Sequence, residues 1–422
     1  MHCQEGRGCG RALSFFRNGI SQRFTKQSWR TTPPGPGYTR AMRIAIDIRR
    51  LYEFGLATYI RNVVRTLGRI DLVNGYYLVG APSRFEQLGE LPANFHFLPL
   101  QNREASFANY MEMQRVVNAH EVDLLHIPHT FWRPLFIRAP YVLTVHDLLD
   151  YMYRARTNNP ISRVLHAYGT RQVMRKASRI FAVSQFTKKD VARHFGVPAE
   201  KIEVVYNALD DNFLRGHATP LEQANIRGRY QLESPFLLYA GRISPHKNVA
   251  RIIEAFSALK GELAKDGAYP DLKLIVIGDE VSKNPDIRRA VIRSGMQHEV
   301  RFLGYVPIDV LRVFFDMAKV FVFPSLYEGF GLPPLEAMAH GTPVVASNTT
   351  ALPEVVGQAA MMVNPENVFE ISRALQRVLT DQGLRERLKA AGLEQAQRFR
   401  WDQSVGRILK VYTEVVAERK KR

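Results

Sequence analysis

The sequence predicts an α/β protein of two Rossmann-like domains, with parallel sheets facing each other across a cleft. Three observations predict this. Short apolar, β-prone runs alternate with helical stretches from residue 43 onward. The alternation breaks in a polar stretch at 215–230 and then restarts. The apolar runs at 141–145, 274–277 and 320–323 have strand length, well short of the roughly 20 residues that span a bilayer. Alternation of this kind makes parallel sheets covered on both faces. Two such blocks place a ligand between them, and 422 residues suffice for two or three cores.

In the first block, 43–47, 76–80, 95–98, 122–126, 141–145, 179–183 and 202–205 read as strands. The stretches 56–68, 109–119, 161–176 and 186–195 read as the helices between them. In the second block the strands fall at 236–240, 272–277, 300–303, 320–323, 343–346 and 361–363. Helices at 248–263, 309–317 and 333–340 alternate with these, and 368–419 is helical by pattern. The domains are therefore drawn at 42–218 and 219–395, with a closing helical segment at 396–422.

Residues 1–41 stand apart. Seven Lys/Arg against one acid, Glu5, give this tail a net charge of +6. A Thr/Pro/Gly linker at 31–37 follows, and Met42 opens the first strand abruptly. With no sustained apolar run the tail is a poor signal peptide, so it reads as a disordered tail or a misassigned start. Both cysteines, Cys3 and Cys9, lie in it. The folded part thus lacks thiols for disulfides, metal ligation or nucleophilic catalysis, which suits the cytosol. Subtracting the tail from the total of +18 leaves +12 on the remainder, which favours anionic partners. No nucleic-acid module is present. An anionic membrane surface bearing a lipid-linked acceptor is the preferred partner, and solubility alone is the bland alternative.

The most informative segment runs from Phe323 to Gly341. It sets Glu328 and Glu336 eight residues apart around a glycine-rich loop. Pro333 and Pro334 suit the first turn of a helix, and Gly341 suits the position past its end. Glu328 is thus expected on the loop leaving a strand, and Glu336 in the next helix's first turn. That crevice, outside the strand C-termini, is where open α/β sheets bind ligands. Acceptors for hydroxyl groups beside free helix N–H groups suit a nucleotide-sugar. Taken singly, Glu336 reads equally as a macrodipole-stabilising carboxylate and Glu328 as a solvated loop residue. Gly241-Arg242, with Lys247 and Asn248 following, leaves the first strand of the second block. Gly241 permits a tight turn, Asn248 can cap the next helix, and Arg242 with Lys247 suit a diphosphate.

The Glu328–Glu336 segment resembles the Glu-x7-Glu motif of retaining GT-B glycosyltransferases, in wording most like glycosyltransferase family 4. The likeness continues through 342–347 and 352–357 and covers nearly the whole chain from Met42. It implies a GT-B architecture whose last helix crosses back onto the first domain. It also implies that Arg242 and Lys247 neutralise a leaving nucleoside diphosphate, that Glu328 holds sugar hydroxyls and that Glu336 holds the ribose. Phe330, Gly331 and Leu332 then belong to the donor site, and Tyr305 and Val306 face the base. His146, at a strand exit, corresponds to a histidine near the anomeric carbon. Gly55 corresponds to a donor-covering loop, although Leu56 or Ala57 stands where the family carries a second glycine. His129, Phe131, Trp132 and Arg133 form an aromatic and basic patch that suits an acceptor, or plain packing.

These resemblances imply a retaining hexosyltransferase with a nucleoside diphosphate sugar donor and a glycan or lipid-linked acceptor. It would need no cofactor and no metal, since no Asp-x-Asp motif is placed to hold one. The wording of 47–50 and 325–334 is similar to bacterial mannosyltransferases of envelope polysaccharide assembly, which suggests GDP-mannose. A cytoplasmic enzyme, peripheral on the inner face of the plasma membrane, is expected. A glycan phosphorylase or synthase shares the motif, and a nucleotide-sugar epimerase shares the fold. A membrane-peripheral binding protein on an inactive GT-B scaffold is the non-enzymatic alternative.

Overall fold

The structure, a computed structural model, describes residues 41–421 apart from 105, 130–135, 155–159 and 280–283. The tail, except for Ala41, and the candidate residues Phe131, Trp132 and Arg133 lie outside the described residues. Met42–Arg422 cluster as one compact unit.

Among the described residues, thirteen strands build two sheets. The first holds β1 (Arg43–Asp47), β2 (Gly75–Gly80), β3 (Phe95–Pro99), β4 (Leu124–Ile127), β5 (Tyr141–Val145), β6 (Arg179–Ala182) and β7 (Ile202–Val204), in the order β3-β2-β1-β4-β5-β6-β7. The second holds β8 (Phe236–Ala240), β9 (Lys273–Ile277), β10 (Val300–Gly304), β11 (Val320–Phe323), β12 (Val344–Ser347) and β13 (Ala360–Val363), in the order β10-β9-β8-β11-β12-β13. Every pairing is parallel. The strand order reverses between β1 and β4 in one sheet and between β8 and β11 in the other. Crevices open at such switch points because the connecting helices leave toward opposite faces.

Burial follows the two-residue period of a strand with both faces covered. Ile44 and Ile46 enter one apolar cluster of the first domain, while Ala45 between them enters the cluster on the opposite face. The second domain has its own core around Leu237, Phe256, Phe314 and Phe321.

The polar stretch at 215–230 is a correction to the sequence reading. It contains a helix, Pro220–Tyr230, started by a capping box between Thr219 and Glu222. Polarity hid it, because this helix buries only Ile226. The helix Pro285–Arg293 was likewise not anticipated. The 368–419 region divides into Val368–Thr380, Gln382–Gln397 and Trp401–Lys420, with Asp381 capping the second helix. Among the described residues, no helix is long and apolar enough to cross a membrane.

The last helix does cross back. Trp401, Val405, Ile408, Val411 and Tyr412 join the first domain's core beside Ile44 and Val64. Inside that packing, Tyr412 Oη lies 2.6 Å from His126 Nδ1, His126 Nε2 lies 2.8 Å from Thr144 Oγ1, and Tyr59 Oη lies 3.0 Å from the same hydroxyl. Burial holds His126 near pKa 3, so its ring is a neutral member of this chain. Tyr412→Phe should destabilise the protein by about 1–2 kcal/mol, since it strands a buried imidazole nitrogen. Urea unfolding indistinguishable from the parent's would show that the chain contributes nothing.

Candidate active site

The switch points collect the predicted residues. Glu328 lies on the loop after β11, and Arg242 and Lys247 lie on the loop after β8, its neighbour in the sheet. Lys247 Nζ donates to Glu328 Oε1 at 2.6 Å and sits 5.2 Å from the Phe323 ring centroid. Glu328 is only 8% exposed, which removes the alternative of a solvated loop residue. The pair is a sheltered charge couple, costly to break from one side only. Arg242 behaves differently. Its side chain is 76% exposed and its Nε lies 3.5 Å from Asp279 Oδ2, at the exit of β9. Of these two cations, among the described residues, Lys247 contacts Glu328 and Arg242 does not.

Asn248 occupies the N-cap position of helix Val249–Lys265, but its side chain makes no capping bond, contrary to the sequence reading. Its Nδ2 instead donates to the carbonyls of Pro324 and Pro365, at 3.0 and 2.7 Å. It thereby fixes the loop that carries Glu328 from the side of β8. At Gly278 an added Cβ would lie 2.2 Å from the Gly241 carbonyl oxygen, so the two donor-side loops meet backbone to backbone.

Glu336 stands on helix Leu332–Ala339, one residue beyond its first turn. The helix starts at Leu332, earlier than the prolines suggested. Its N-cap, Gly331, has φ +110° and supplies no side chain. A Cβ there would meet Leu352 Cδ2 at 2.5 Å, so glycine is required for both backbone and space. The helix N-terminus is consequently left uncapped at the cleft. Burial, reinforced by the charge of Asp210, pushes the Glu336 carboxyl up to about 8.

From the opposite domain, His146 and Asp147 leave β5. Burial lowers His146 to about 4, so the ring is neutral, with Nε2–H donating to the Pro128 carbonyl at 3.2 Å. Tyr59 packs edge-on against it, with centroids 4.7 Å apart. Asp147 was not singled out from sequence. Burial raises its pKa, and the Glu328 charge adds to this while Lys247 opposes it, so the three groups share one field. Gly55 lies in the first turn of helix Phe54–Ile70, exposed, with open space around it. This N-terminus also lacks a side-chain cap.

Other candidates move. His129 is buried, and its Nε2–H donates to Asp47 Oδ2 at 3.0 Å, so it cannot touch an acceptor directly. Asp47 also receives Arg49 through two bonds of 2.9 and 2.7 Å. Burial opposes the Asp47 charge, but Arg49 and His129 outweigh it and hold the carboxyl well below the usual range. Phe330 turns its ring onto Phe399 and Tyr206, at 5.4 and 6.2 Å, leaving only its backbone for a donor. Tyr305 follows the edge strand β10 and is 70% exposed, while Val306 is buried. Leu332 starts the Glu336 helix.

Sequence reasoning also missed what joins the halves. The Gly329 carbonyl accepts from Ser184 Oγ at 2.7 Å and Thr187 Oγ1 at 3.1 Å. A Cβ on Gly329 would fall 1.7 Å from the His146 carbonyl oxygen. Glu354 accepts from the backbone N–H groups of Gln185 and Phe186 and from Tyr206, and Tyr327 donates to Asp190. Ser184 caps helix Gln185–Phe195 by accepting from the Thr187 N–H, a local role that gives no sign of a partner in the other domain.

Two parallel-sheet domains whose switch-point loops meet across one cleft define a GT-B glycosyltransferase. Residues 54–213 match the Glycosyltransferase Family 4 profile, and residues 223–395 match Glycosyl transferases group 1. The chain is 33% identical to the O-antigen chain mannosyltransferase B of Escherichia coli, over 88% of this chain and 93% of that protein. It is 32% identical to the serotype-specific mannosyltransferase WbdA of E. coli, over 62% of this chain but 32% of that longer protein. Among solved structures, HepE of Anabaena in complex with UDP and glucose superposes with a TM-score of 0.69 at 18% identity, covering 88% of this chain and all of that one. The chain belongs to this family of glycosyltransferases, with mannosyltransferases among its relatives.

Two outcomes test the geometry. Gly329→Ala should cost about 1–3 kcal/mol and loosen the domain contact, because backbone blocks the new methyl. Unchanged unfolding and unchanged small-angle scattering would refute the contact's importance. The second concerns pH. Glu336 has a folded pKa of about 8 against 4.5 as the reference for an unfolded chain. Between those values the folded state binds the extra proton, so this group's contribution to stability falls as pH rises through the window. Glu336→Gln should flatten that component. Parallel stability–pH curves for the two proteins, from about pH 5 to pH 8, would contradict it.

Proposed function

We propose that the protein transfers mannose from GDP-mannose to a glycan or lipid-linked acceptor, with retention at the anomeric carbon and no divalent metal at the diphosphate. The observation that carries this reading is the Lys247–Glu328 pair set between an uncapped helix N-terminus and the His146–Asp147 exit of the other domain. The mannosyltransferase names of the relatives support the sugar. The basic body supports work at the anionic inner face of the plasma membrane.

In this reading Lys247, Arg242 and the Gly331 and Leu332 N–H groups at the start of helix Leu332–Ala339, where Pro333 and Pro334 carry none, receive the diphosphate, replacing a metal by fixed positive charge. Lys247 must then turn from Glu328 toward phosphate, which frees the carboxylate for sugar hydroxyls. Glu336 accepts from the ribose. The C–O bond to the diphosphate breaks as an oxocarbenium-like sugar develops. The acceptor hydroxyl attacks from the same face and passes its proton to the departing phosphate oxygen. Neutral His146 contacts the sugar without adding positive charge next to the developing cation. Catalysis is then mostly positioning and charge stabilisation.

A thermal-shift screen of nucleoside diphosphate sugars should give its largest rise with GDP-mannose, and NMR of the product should show the donor's anomeric configuration. A rise only with a UDP-sugar would replace the donor, and an inverted product would remove retention. Glu328→Gln should lower kcat on the order of 10²-fold. Lys247→Ala should weaken nucleoside diphosphate binding far more than nucleoside binding, and equal losses by calorimetry would take Lys247 out of the phosphate site.

A further inference from the structure

At the opposite end of the second sheet from the cleft, near the starts of β11 and β12, lies a cavity of about 600 Å³. His217, Asp316 and His340 line it, with Lys319, Arg385 and Lys389 at its margin. None of these belongs to the donor site. Each of the three offers a ligand atom, and those atoms all lie within 4.8 Å of one another. His217 Nδ1 and His340 Nδ1 stand 2.8 and 2.9 Å from the same Asp316 oxygen, Oδ1. Tetrahedral Zn²⁺ with ligands at about 2.0–2.1 Å spaces its donor atoms by about 3.3 Å, so to admit the ion the two Asp316 contacts open by about half an ångström and the histidine nitrogens, no more than 4.8 Å apart, close by at most about 1.5 Å.

The surroundings of His340 fix its ring in place. His340 is 5% exposed, and its Nε2 has no hydrogen-bond partner among the described residues. The ring is wedged between Phe315, stacked at 6.1 Å, and Phe213, edge-on at 6.2 Å. An ion held between His217 and Asp316 would take His340 Nδ1, the nitrogen already facing Asp316, and would leave Nε2 as it is. Two imidazoles and one carboxylate are a common donor set for a divalent transition metal, with the open cavity leaving room for water as a further ligand.

We propose that His217, Asp316 and His340 bind a divalent transition metal of the Zn²⁺ class, which clamps the linker between the two domains. The placement explains the role. His217 sits on the linker between β7 and helix Pro220–Tyr230, while Asp316 ends helix Ile308–Met317 and His340 follows helix Leu332–Ala339. Asp316 Oδ2 already accepts from the Ala218 N–H at 2.5 Å, and Arg312 donates to the Gly216 carbonyl at 2.8 Å. The same linker carries Asp210, whose charge acts on Glu336. A metal at His217 would therefore tie the linker to the C-terminal end of the helix that carries Glu336. The site is structural: it lies away from the cleft and holds no part of the diphosphate machinery.

The test uses the full chain with Cys3→Ser and Cys9→Ser, which removes its only two thiols. After EDTA treatment and chelator removal, Zn²⁺ is titrated calorimetrically into this protein and into its His217→Ala variant. His217 is largely exposed, so the variant is expected to fold. The parent should bind one equivalent more than the variant, and at a hundredfold excess over Kd its Tm should rise by about 2–6 °C, a shift the variant lacks. Equal stoichiometry in the two proteins overturns the site, and zinc that binds without raising Tm overturns the clamp.

Discussion

The contact on which the cleft depends is the docking of Gly329 under the first domain. Its carbonyl takes two hydroxyl donors, Ser184 and Thr187, and its Cα faces the His146 carbonyl with no room for a side chain. Gly329 follows Glu328 directly in the chain, and His146 precedes Asp147. One backbone approach therefore brings the second domain's carboxylate and the first domain's strand exit to the same place. Had any side chain stood at Gly329, the two halves would be held apart and each group would face water alone. Glu354, receiving two N–H groups of the same first-domain helix, braces the contact from one side.

Within the cleft, charge is arranged sparingly. Lys247 and Glu328 neutralise each other, His146 is held neutral by burial, and Glu336 and Asp147 are pushed toward their protonated forms. An unliganded cleft crowded with ionised groups would bear a heavy desolvation cost. A ligand that brings its own anionic phosphates changes that balance: Lys247 gains a second partner, and the carboxyls gain hydroxyl donors. The two uncapped helix N-termini are consistent with the same logic: the N–H groups that remain, those of Gly331 and Leu332 at the second because Pro333 and Pro334 have none, stay available for an incoming hydrogen-bond acceptor.

The rest of the molecule keeps these groups in register. Asn248 ties the β8, β11 and β13 exits together through two carbonyls. The crossing helix reaches Tyr59 by way of Tyr412, His126 and Thr144, and Tyr59 in turn packs on His146. The closing segment of the chain is thus part of the first domain's interior and supports the side of the cleft that it never touches. The linker does the same from behind, through Ala218 and Asp316.

The α/β class, the two-block organisation and most strands were legible in the sequence, because parallel strands buried on both faces write continuous apolar runs. The Glu328 loop and the proline-started helix were legible for similar reasons, since proline and glycine act through local backbone geometry. The helix Pro220–Tyr230 was not, because its polar face left almost no period to read. Nor was the burial of Glu328, the retirement of His129 into a hydrogen bond with Asp47, or the turn of Phe330 into the domain contact. Each depends on a partner far away in the chain: 81 residues separate Lys247 from Glu328, and 82 separate His129 from Asp47. Local propensity and spacing determine which elements form and where ligand-binding loops leave them. Which side chains end up charged, buried or facing one another is decided only when distant segments pack, because desolvation and charge pairing act through space and not along the sequence.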